Sequence, residues 1–511
     1  MADKEQIREV EKILEVMHTP DSKLCQVWNI LRDYQKDVAT NMVISHRRLG
    51  YLAMGMGKTL TSSFSALFVG AWPCIIVCPK SAMYVWEQEL LSWFDEPSIV
   101  YVGTPKVREG LWKEFCTGKY KFIITNYSLV KEVGLRAGLV KATKSKGSSE
   151  SGTTKTKFTP PPGTEPMCIG GLIADEIHNS GLFNHKTETY KVFTQLAKSI
   201  PFRILLTGTP YRKGVIDFFG PLSIVDPAKF DSYWKFVNKW CIRIDSGFGK
   251  SIERNPSDVG AFRSMIRNYA DILRKEDYLK ELPGKIRQTV PVIMDKEQER
   301  VYKELSEELM AETDNGELIL SPSILSLLIR LRQILVCPKV LGLDTYGAAT
   351  ETMLDMADDL VEERKPFVIF TPFRQAVPYI AQALHERHSG VRIYSITGGL
   401  TPKEFHEAWD GFQKDNGCRV LICVIKSGAS FQATAADTAF FLGYEYDFNL
   451  NEQAEDRLNR MGQKNLVNCY YLMSKGTIDD HAVKLLNDKV TGAEWILSNE
   501  ETYQKLIEKK S

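Results

Sequence analysis

The sequence predicts an α/β fold of two tandem, doubly wound parallel-sheet lobes, with a helical insertion on the first. Three observations lead there. Short apolar runs rich in β-branched residues alternate with amphipathic stretches, as in strands buried on both faces and covered by helices. That alternation runs to residue 208, lapses, and restarts at residue 366. The chain's 511 residues also exceed one ordinary domain.

The elements follow in order. The opening "MADKEQIREVEKILEV" has a charged, helical pattern and no apolar core of a secretory signal. It predicts a helical extension over residues 1–30. The first lobe spans 31–282, with strands at "PCIIVCP" (73–79), "KFIITNY" (121–127), "IGGLIAD" (169–175) and "FRILLTG" (202–208). "SAMYVWEQELLSWF" reads as a helix between two of them. Residues 144–166 are Ser, Thr, Gly and Pro with almost nothing apolar, so they predict a disordered loop. Residues 211–282, with "FDSYWKFVNKWCIRI", predict the helical insertion, and no hairpin able to wedge a duplex is evident. The junction falls in "LPGKIRQTVPVIM" (282–294). The second lobe spans 283–511. Its strands are expected at 366–372, 391–398, 418–425, 438–444 and 467–473, with helices at the C-terminus.

Composition narrows the function classes. Hydrophobic content of 43% and charged content of 25% suit a globular protein with sizeable cores. No run of 18 or more apolar residues occurs, so no membrane span is expected. Net charge is +1, so nucleic-acid binding would have to come from local placement of Lys and Arg. None of the ten Cys forms a CxxC pair. Cys78 and Cys423 end or lie in apolar runs and read as buried free thiols in a reducing compartment. His385 and His388 have HxxH spacing without an evident ligand partner and read as surface helix residues.

Three stretches carry chemistry. In "AMGMGKT" (53–59), Gly55, Met56 and Gly57 form a loop whose N–H groups can point at phosphate oxygens, ahead of a helix. Lys58 would reach the β- and γ-phosphates, and the Thr59 hydroxyl would hold Mg2+. Leu52 occupies the first Gly of the strict GxxxxGK[ST] pattern, so this is the relaxed GxGKT form. "ADEIHNSG" (174–181) alone reads more readily as an acidic surface turn than as a catalytic site. Downstream of a phosphate loop it gains a role: Asp175 as the Mg2+ acid and Glu176 as the base for the attacking water. His178 would face "LLTGTP", coupling the acids to Thr207 and Thr209. In "NEQAEDRLNRMGQKN" (451–465), Gln453, Arg457 and Arg460 recur at four- and three-residue spacing, which predicts that they share one helix face. That face is either solvated, with pairs to Glu452, Glu455 and Asp456, or supplies an arginine finger.

Taken in order, these stretches resemble superfamily-two helicase-like ATPases with a DEAD/DEAH-type box, specifically Swi/Snf-type DNA translocases. The resemblance runs from about residue 30 to 480. "LRDYQKDV" resembles the adenine-reading segment, "AMGMGKT" motif I, "VCPKSAMYVWEQEL" motif Ia, "IITNYSLV" motif Ib and "DEIH" motif II. "LLTGTPYRKGVIDFFGPLSIVDP" resembles motif III, "VIFTPFRQAV" and "SITGGLTPKEFHEAWDGFQ" motifs IV and IVa. "KSGASFQATAAD" is similar to motif V and "QAEDRLNRMGQ" to motif VI, with an annealing-helicase-like flavour. The resemblance implies RecA-like lobes and ATP with Mg2+ as cofactors. It implies that Arg32, Gln35, Gly428 and Gln453 also bind the nucleotide, and that Lys58, Glu176, Arg457 and Arg460 are catalytic. It implies nucleic-acid contacts at Lys80, Ser81, Asn126, Tyr127 and Thr209, and at Phe373, Arg374, Thr397, Gly398 and Lys426.

The expected function is therefore ATP-dependent, sequence-nonspecific translocation on double-stranded DNA, remodelling forked, branched or protein-bound DNA in replication or repair. The expected protein is a monomer, in a bacterial or viral host cytoplasm or a eukaryotic nucleus, without a membrane partner. Two alternatives stay open: a duplex-separating DNA or RNA helicase, and a nucleotide-gated binding module with little turnover. Ala53, Ser427, Ser430, Tyr446 and Phe448 depart from the family's usual residues. The motif V changes put coupling between DNA contact and hydrolysis in doubt.

Overall fold

A computed structural model describes residues 4–17, 19–141, 167–209, 214–245, 250–256, 258–314, 322–427, 431–446 and 448–480. The expected loop at 144–166, Gly428, Ser430 and the C-terminal helices beyond 480 lie outside these residues. The chain divides into two compact units, the second beginning at Leu279, close to the expected junction.

The first unit contains strands β1 (Arg47–Leu52), β2 (Cys74–Cys78), β3 (Ser98–Val100), β4 (Phe122–Asn126), β5 (Gly171–Ala174), β6 (Phe202–Thr207), β7 (Cys241–Asp245), β8 (Lys250–Pro256) and β9 (Ala270–Leu273). Seven of them form one parallel sheet in the order β3-β4-β2-β5-β6-β1-β9. The four strands expected from apolar runs are all present and buried. β1, β3 and β9 were not anticipated. β1 hides behind two arginines: Arg48 is buried, its guanidinium 2.9 and 3.0 Å from the carboxylate of Asp271 in β9. A charge buried with its partner leaves no apolar signature in the sequence.

The 1–30 extension comprises two helices, Lys4–Met17 and Lys23–Ile30, that bury Val10, Leu14, Val27 and Trp28. Trp28 packs on Phe64, in the helix after the phosphate loop, with ring centroids 5.3 Å apart. One further expectation needs correction: the insertion is not wholly helical. The helix Tyr233–Trp240 gives way directly to an antiparallel hairpin of β7 and β8, and β9 then rejoins the main sheet. "CIRID" alternates apolar and polar residues with period two, which favours a strand over a continued helix.

The second unit adds β10 (Lys285–Val292), β11 (Phe367–Thr371), β12 (Arg392–Ile396), β13 (Arg419–Val424), β14 (Thr438–Leu442) and β15 (Val467–Ser474). They form a six-stranded parallel sheet in the order β10-β15-β14-β11-β13-β12. Five were expected; β10 was read only as the junction. It is an edge strand, largely exposed, so it carries no continuous apolar run. Apolar clusters cover both faces of this sheet, one around Phe367, Ile380 and Phe440, the other around Phe370, Phe441 and Leu458. Cys78 and Cys423 are buried free thiols, and His385 is exposed on its helix, as expected. No helix among the described residues is long and apolar enough to cross a membrane.

Candidate nucleotide site and arginine turn

The site in the first unit gathers at the carboxyl ends of its strands, where open α/β sheets bind ligands. β1 ends at Leu52, and the helix Lys58–Phe68 begins six residues later. Between them Gly55 and Gly57 take left-handed backbone, φ 79° and 81°. A Cβ on Gly57 would lie 2.2 Å from Gln35 Nε2, so both conformation and space call for glycine. Gln35 is buried and ties the loop down. Its amide donates to the Met56 carbonyl at 3.3 Å, and its Oε1 accepts from the Arg32 N–H at 3.0 Å. The adenine-reading candidates Arg32 and Gln35 thus brace the phosphate loop from the cap of the helix Asp33–Ser45. The unpaired N–H groups at the start of Lys58–Phe68 add a favourable field for an anion.

Lys58 sits at the centre. Its ammonium donates to the Leu52 carbonyl at 3.2 Å and lies 3.6 Å from Glu176 Oε1. Asp175 and Glu176 follow β5, and Glu176 takes φ 51°, a strained left-handed conformation for a non-glycine residue. Both acids are buried. The Asp175 carboxylate is gripped on both oxygens, by the Glu176 N–H at 2.9 Å and the Trp86 indole N–H at 3.0 Å. Burial, then the neighbouring Glu176 charge, pushes the Asp175 pKa up. Burial works the same way on Glu176, but Lys58 and His178 outweigh it and hold that carboxyl below its usual range. His178 Nδ1 lies 3.2 Å from Glu176 Oε2 and 2.7 Å from Thr207 Oγ1, and Thr207 Oγ1 accepts from the Thr209 N–H at 2.9 Å. His178, Thr207 and Thr209, expected to act together, therefore form one chain of contacts to Glu176. For Mg2+, Asp175 and the partly exposed Thr59 offer a sparse, all-oxygen donor set, the kind that holds this ion together with phosphates and water.

The arginine stretch differs from its expectation. The helix Phe448–Glu455 stops before Arg457, so Gln453, Arg457 and Arg460 do not share a helix face. The cause is tertiary. Glu455 is fully buried and pairs with two residues of β10, Arg287 at 2.6 Å and Lys285 at 2.8 Å, and accepts from the Tyr471 hydroxyl at 2.8 Å. Lys285 also meets Asp456 at 3.1 Å, and Asn459 donates to the Pro283 carbonyl at 2.7 Å. These contacts turn the chain off the helix. Glu452, Glu455 and Asp456 thus pair with β10. Arg457 is buried, with its guanidinium over the Phe431 ring at 4.5 Å and donating to the Ser427 carbonyl at 3.3 Å. Gln453 is buried and Arg460 is partly exposed on the same turn.

The nucleic-acid candidates divide into two groups. Lys80 and Ser81 after β2, and Arg374, Gly398 and Lys426 after β11, β12 and β13, are exposed; Thr397 is partly so. Lys426 pairs with Glu445 at 2.9 Å. Others are engaged within their own unit. Asn126 Oδ1 accepts from the Ser128 and Leu129 N–H groups, the Tyr127 hydroxyl donates to the Asp175 carbonyl at 2.6 Å, and Thr209 is buried. Phe373 lies under Arg332, which also covers Tyr446 at 4.5 Å. Trp86, Lys285 and Arg287 were not foreseen. Each is unremarkable in sequence and gains its role from a partner far along the chain.

A family model described as "SNF2-related domain" matches residues 10–340, and one described as "Helicase conserved C-terminal domain" matches 350–462. The chain is 26% identical over 480 residues to "DNA annealing helicase and endonuclease ZRANB3" of Mus musculus, covering 91% of this chain and 40% of that protein. It is 23% identical over 475 residues to "Uncharacterized ATP-dependent helicase" of Mycoplasma pneumoniae, covering 90% and 41%. The chain thus spans about 40% of the length of these curated relatives. Among solved structures, "Sulfolobus solfataricus SWI2/SNF2 ATPase core in complex with dsDNA" aligns over 93% of this chain and 94% of that one, at 22% identity and a TM-score of 0.39.

Proposed function

The chain belongs to the SNF2-related family of helicase-like, ATP-dependent enzymes, and from that premise we propose that it hydrolyses ATP and couples hydrolysis to movement on double-stranded DNA. The observation that carries the reading is the Lys58–Glu176 pair, 3.6 Å apart beneath a glycine loop and beside Asp175. When phosphate arrives, Lys58 exchanges Glu176 for phosphate oxygens. The charge that held the Glu176 pKa down then moves away, and its proton affinity rises as a base is needed. Glu176 takes a proton from water, the water oxygen bonds to the γ-phosphorus, and the bond to the β–γ bridging oxygen breaks. His178, backed by Thr207, orients Glu176. Mg2+, held by Asp175 and Thr59, would supply charge neutralisation on the phosphates.

In this reading Arg460, partly exposed on its turn, supplies the arginine finger. Arg457, buried against Phe431, braces the turn that carries it. Lys80, Ser81, Arg374, Thr397, Gly398 and Lys426 grip the DNA backbone, which implies little base preference and steep salt dependence. The likeness to a protein named as a DNA annealing helicase supports action on DNA. A second reading is favoured by the β7–β8 hairpin, a feature that could split a duplex.

The test is steady-state ATPase rate, wild type beside Lys58→Ala, with no nucleic acid, single-stranded, double-stranded and forked DNA, and RNA. Stimulation by duplex or forked DNA, absent in the variant, supports the translocase. Stimulation by single strands or RNA alone, with strand displacement, supports the helicase. No turnover at saturating DNA would leave the nucleotide-gated binding module.

A further inference from the structure

Two strand-end loops of the first unit converge on a single residue, Asp175. The turn Lys80–Ala82 follows β2 and leads into the helix Met83–Phe94, whose first turn carries Trp86. Trp86 is 1% exposed, and its indole N–H donates to Asp175 Oδ2 at 3.0 Å. Tyr127 follows β4, and its hydroxyl donates to the Asp175 main-chain oxygen at 2.6 Å. Packing alone would be served by Phe at either position. An indole N–H or phenol O–H in the interior costs stability unless it is bonded, so each is retained with a specific acceptor. Here both acceptors belong to the same residue, one on its side chain and one on its backbone.

The turn that leads into the helix of Trp86 exposes Lys80 and Ser81, and the segment after β4 that carries Tyr127 exposes Ser128. The Trp86 bond sets the plane of the carboxylate. The Tyr127 bond sets the height at which β5 delivers it. A ligand that shifts the Lys80–Ala82 turn would move Trp86 within one helical turn of the contact.

We propose that Trp86 and Tyr127 are positioning residues for Asp175, linking the exposed loops after β2 and β4 to the metal-binding carboxylate. This rests on the reading of Asp175 as the Mg2+ acid. Groups that orient a metal ligand in this way commonly account for a tenfold or greater part of metal affinity, on the order of 10–100-fold when removed.

The experiment follows thermal protection of the full chain by ADP, first in chelator and then across a Mg2+ titration, for wild type, Trp86→Phe, Tyr127→Phe and Asp175→Asn. The expected result for Trp86→Phe is a Mg2+ midpoint raised roughly tenfold, with wild-type protection by ADP alone. Tyr127→Phe, one oxygen smaller, should show a smaller rise in the same direction and serves as the measure if Trp86→Phe does not fold. The ratio of DNA-stimulated to basal turnover should fall in both. An unchanged Mg2+ midpoint, or parallel loss of protection with and without Mg2+, overturns the positioning role. An unchanged midpoint in Asp175→Asn sinks the metal-acid reading and this inference with it. Loss of the Mg2+ effect in Asp175→Asn alone overturns only the inference.

Discussion

Two lysines, one in each unit, sit in opposite electrostatic settings. Lys58 faces one carboxylate at 3.6 Å and a backbone carbonyl. Lys285 sits among three, Glu455 at 2.8 Å, Asp456 at 3.1 Å and Glu452 at 3.9 Å, with Arg287 sharing Glu455. The contrast is between a single long ion pair and a closed cluster. A single long pair can be exchanged for a phosphate at little cost. A cluster that buries Glu455 completely cannot lose a member without stranding charge in the interior. The first arrangement suits ligand exchange, and the second fastens the arginine turn to the first strand of its unit.

The largest effects should fall on turnover. Arg460→Ala should lower it on the order of 10³-fold, as loss of an arginine finger does, with stability within about 0.5 kcal/mol of wild type. Glu176→Gln should lower it on the order of 10²–10⁴-fold while ATP binding persists. Single-turnover hydrolysis and nucleotide binding measured side by side check both. Near-normal turnover in Glu176→Gln would remove that residue as the base.

The next effect separates the lysines by stability. Lys285→Met should cost about 3–5 kcal/mol in the second unit because it strands buried carboxylates. Lys58→Met should cost less, since His178 still faces Glu176. Denaturant unfolding of the two variants decides it, and a larger loss at Lys58 would reverse the contrast.

Acid should act on the same cluster. Burial opposes charge on Glu455, but Lys285 and Arg287 outweigh it and hold its pKa below the ordinary 4.5. A depressed carboxyl pKa contributes stability that is complete above 4.5 and is lost as pH falls through the lower folded value. Melting of wild type below pH 4.5 should therefore steepen more than that of Lys285→Met. Equal pH slopes in the two proteins would show that the pair does not stabilise the charged form.

The smallest effect is expected at Gly57→Ala. Left-handed backbone costs an L-residue about 1–2 kcal/mol, and the new Cβ displaces the Gln35 amide. Nucleotide affinity should fall with stability, and nucleotide titration beside denaturant unfolding of the variant checks both; no change in either would show that the loop accepts a side chain there.

Much of this is legible in the sequence alone. β2, β4, β5 and β6 are continuous apolar runs because both their faces are covered, and that burial is written residue by residue. The phosphate loop and the Asp-Glu pair are local patterns at strand ends, so their spacing alone located them. β1 and β9 were missed because Arg48 and Asp271 neutralise each other across strands 223 residues apart. The arginine segment was read as a helix face because its local spacing fits one. The acids of that segment instead answer to Lys285 and Arg287, about 170 residues earlier, and the helix ends where those bonds form.

The sequence by itself therefore determined the two-lobe α/β class, the glycine loop with Lys58 and Thr59, and the acids Asp175 and Glu176. All of these depend on neighbours within a few residues. Only the tertiary structure decided that Lys58 is held by Glu176, that Trp86 and Tyr127 both bond to Asp175, and that Arg457 is buried while Arg460 is partly exposed. Each of those is a bond or a burial between distant segments. Its energy depends on geometry that no local spacing encodes.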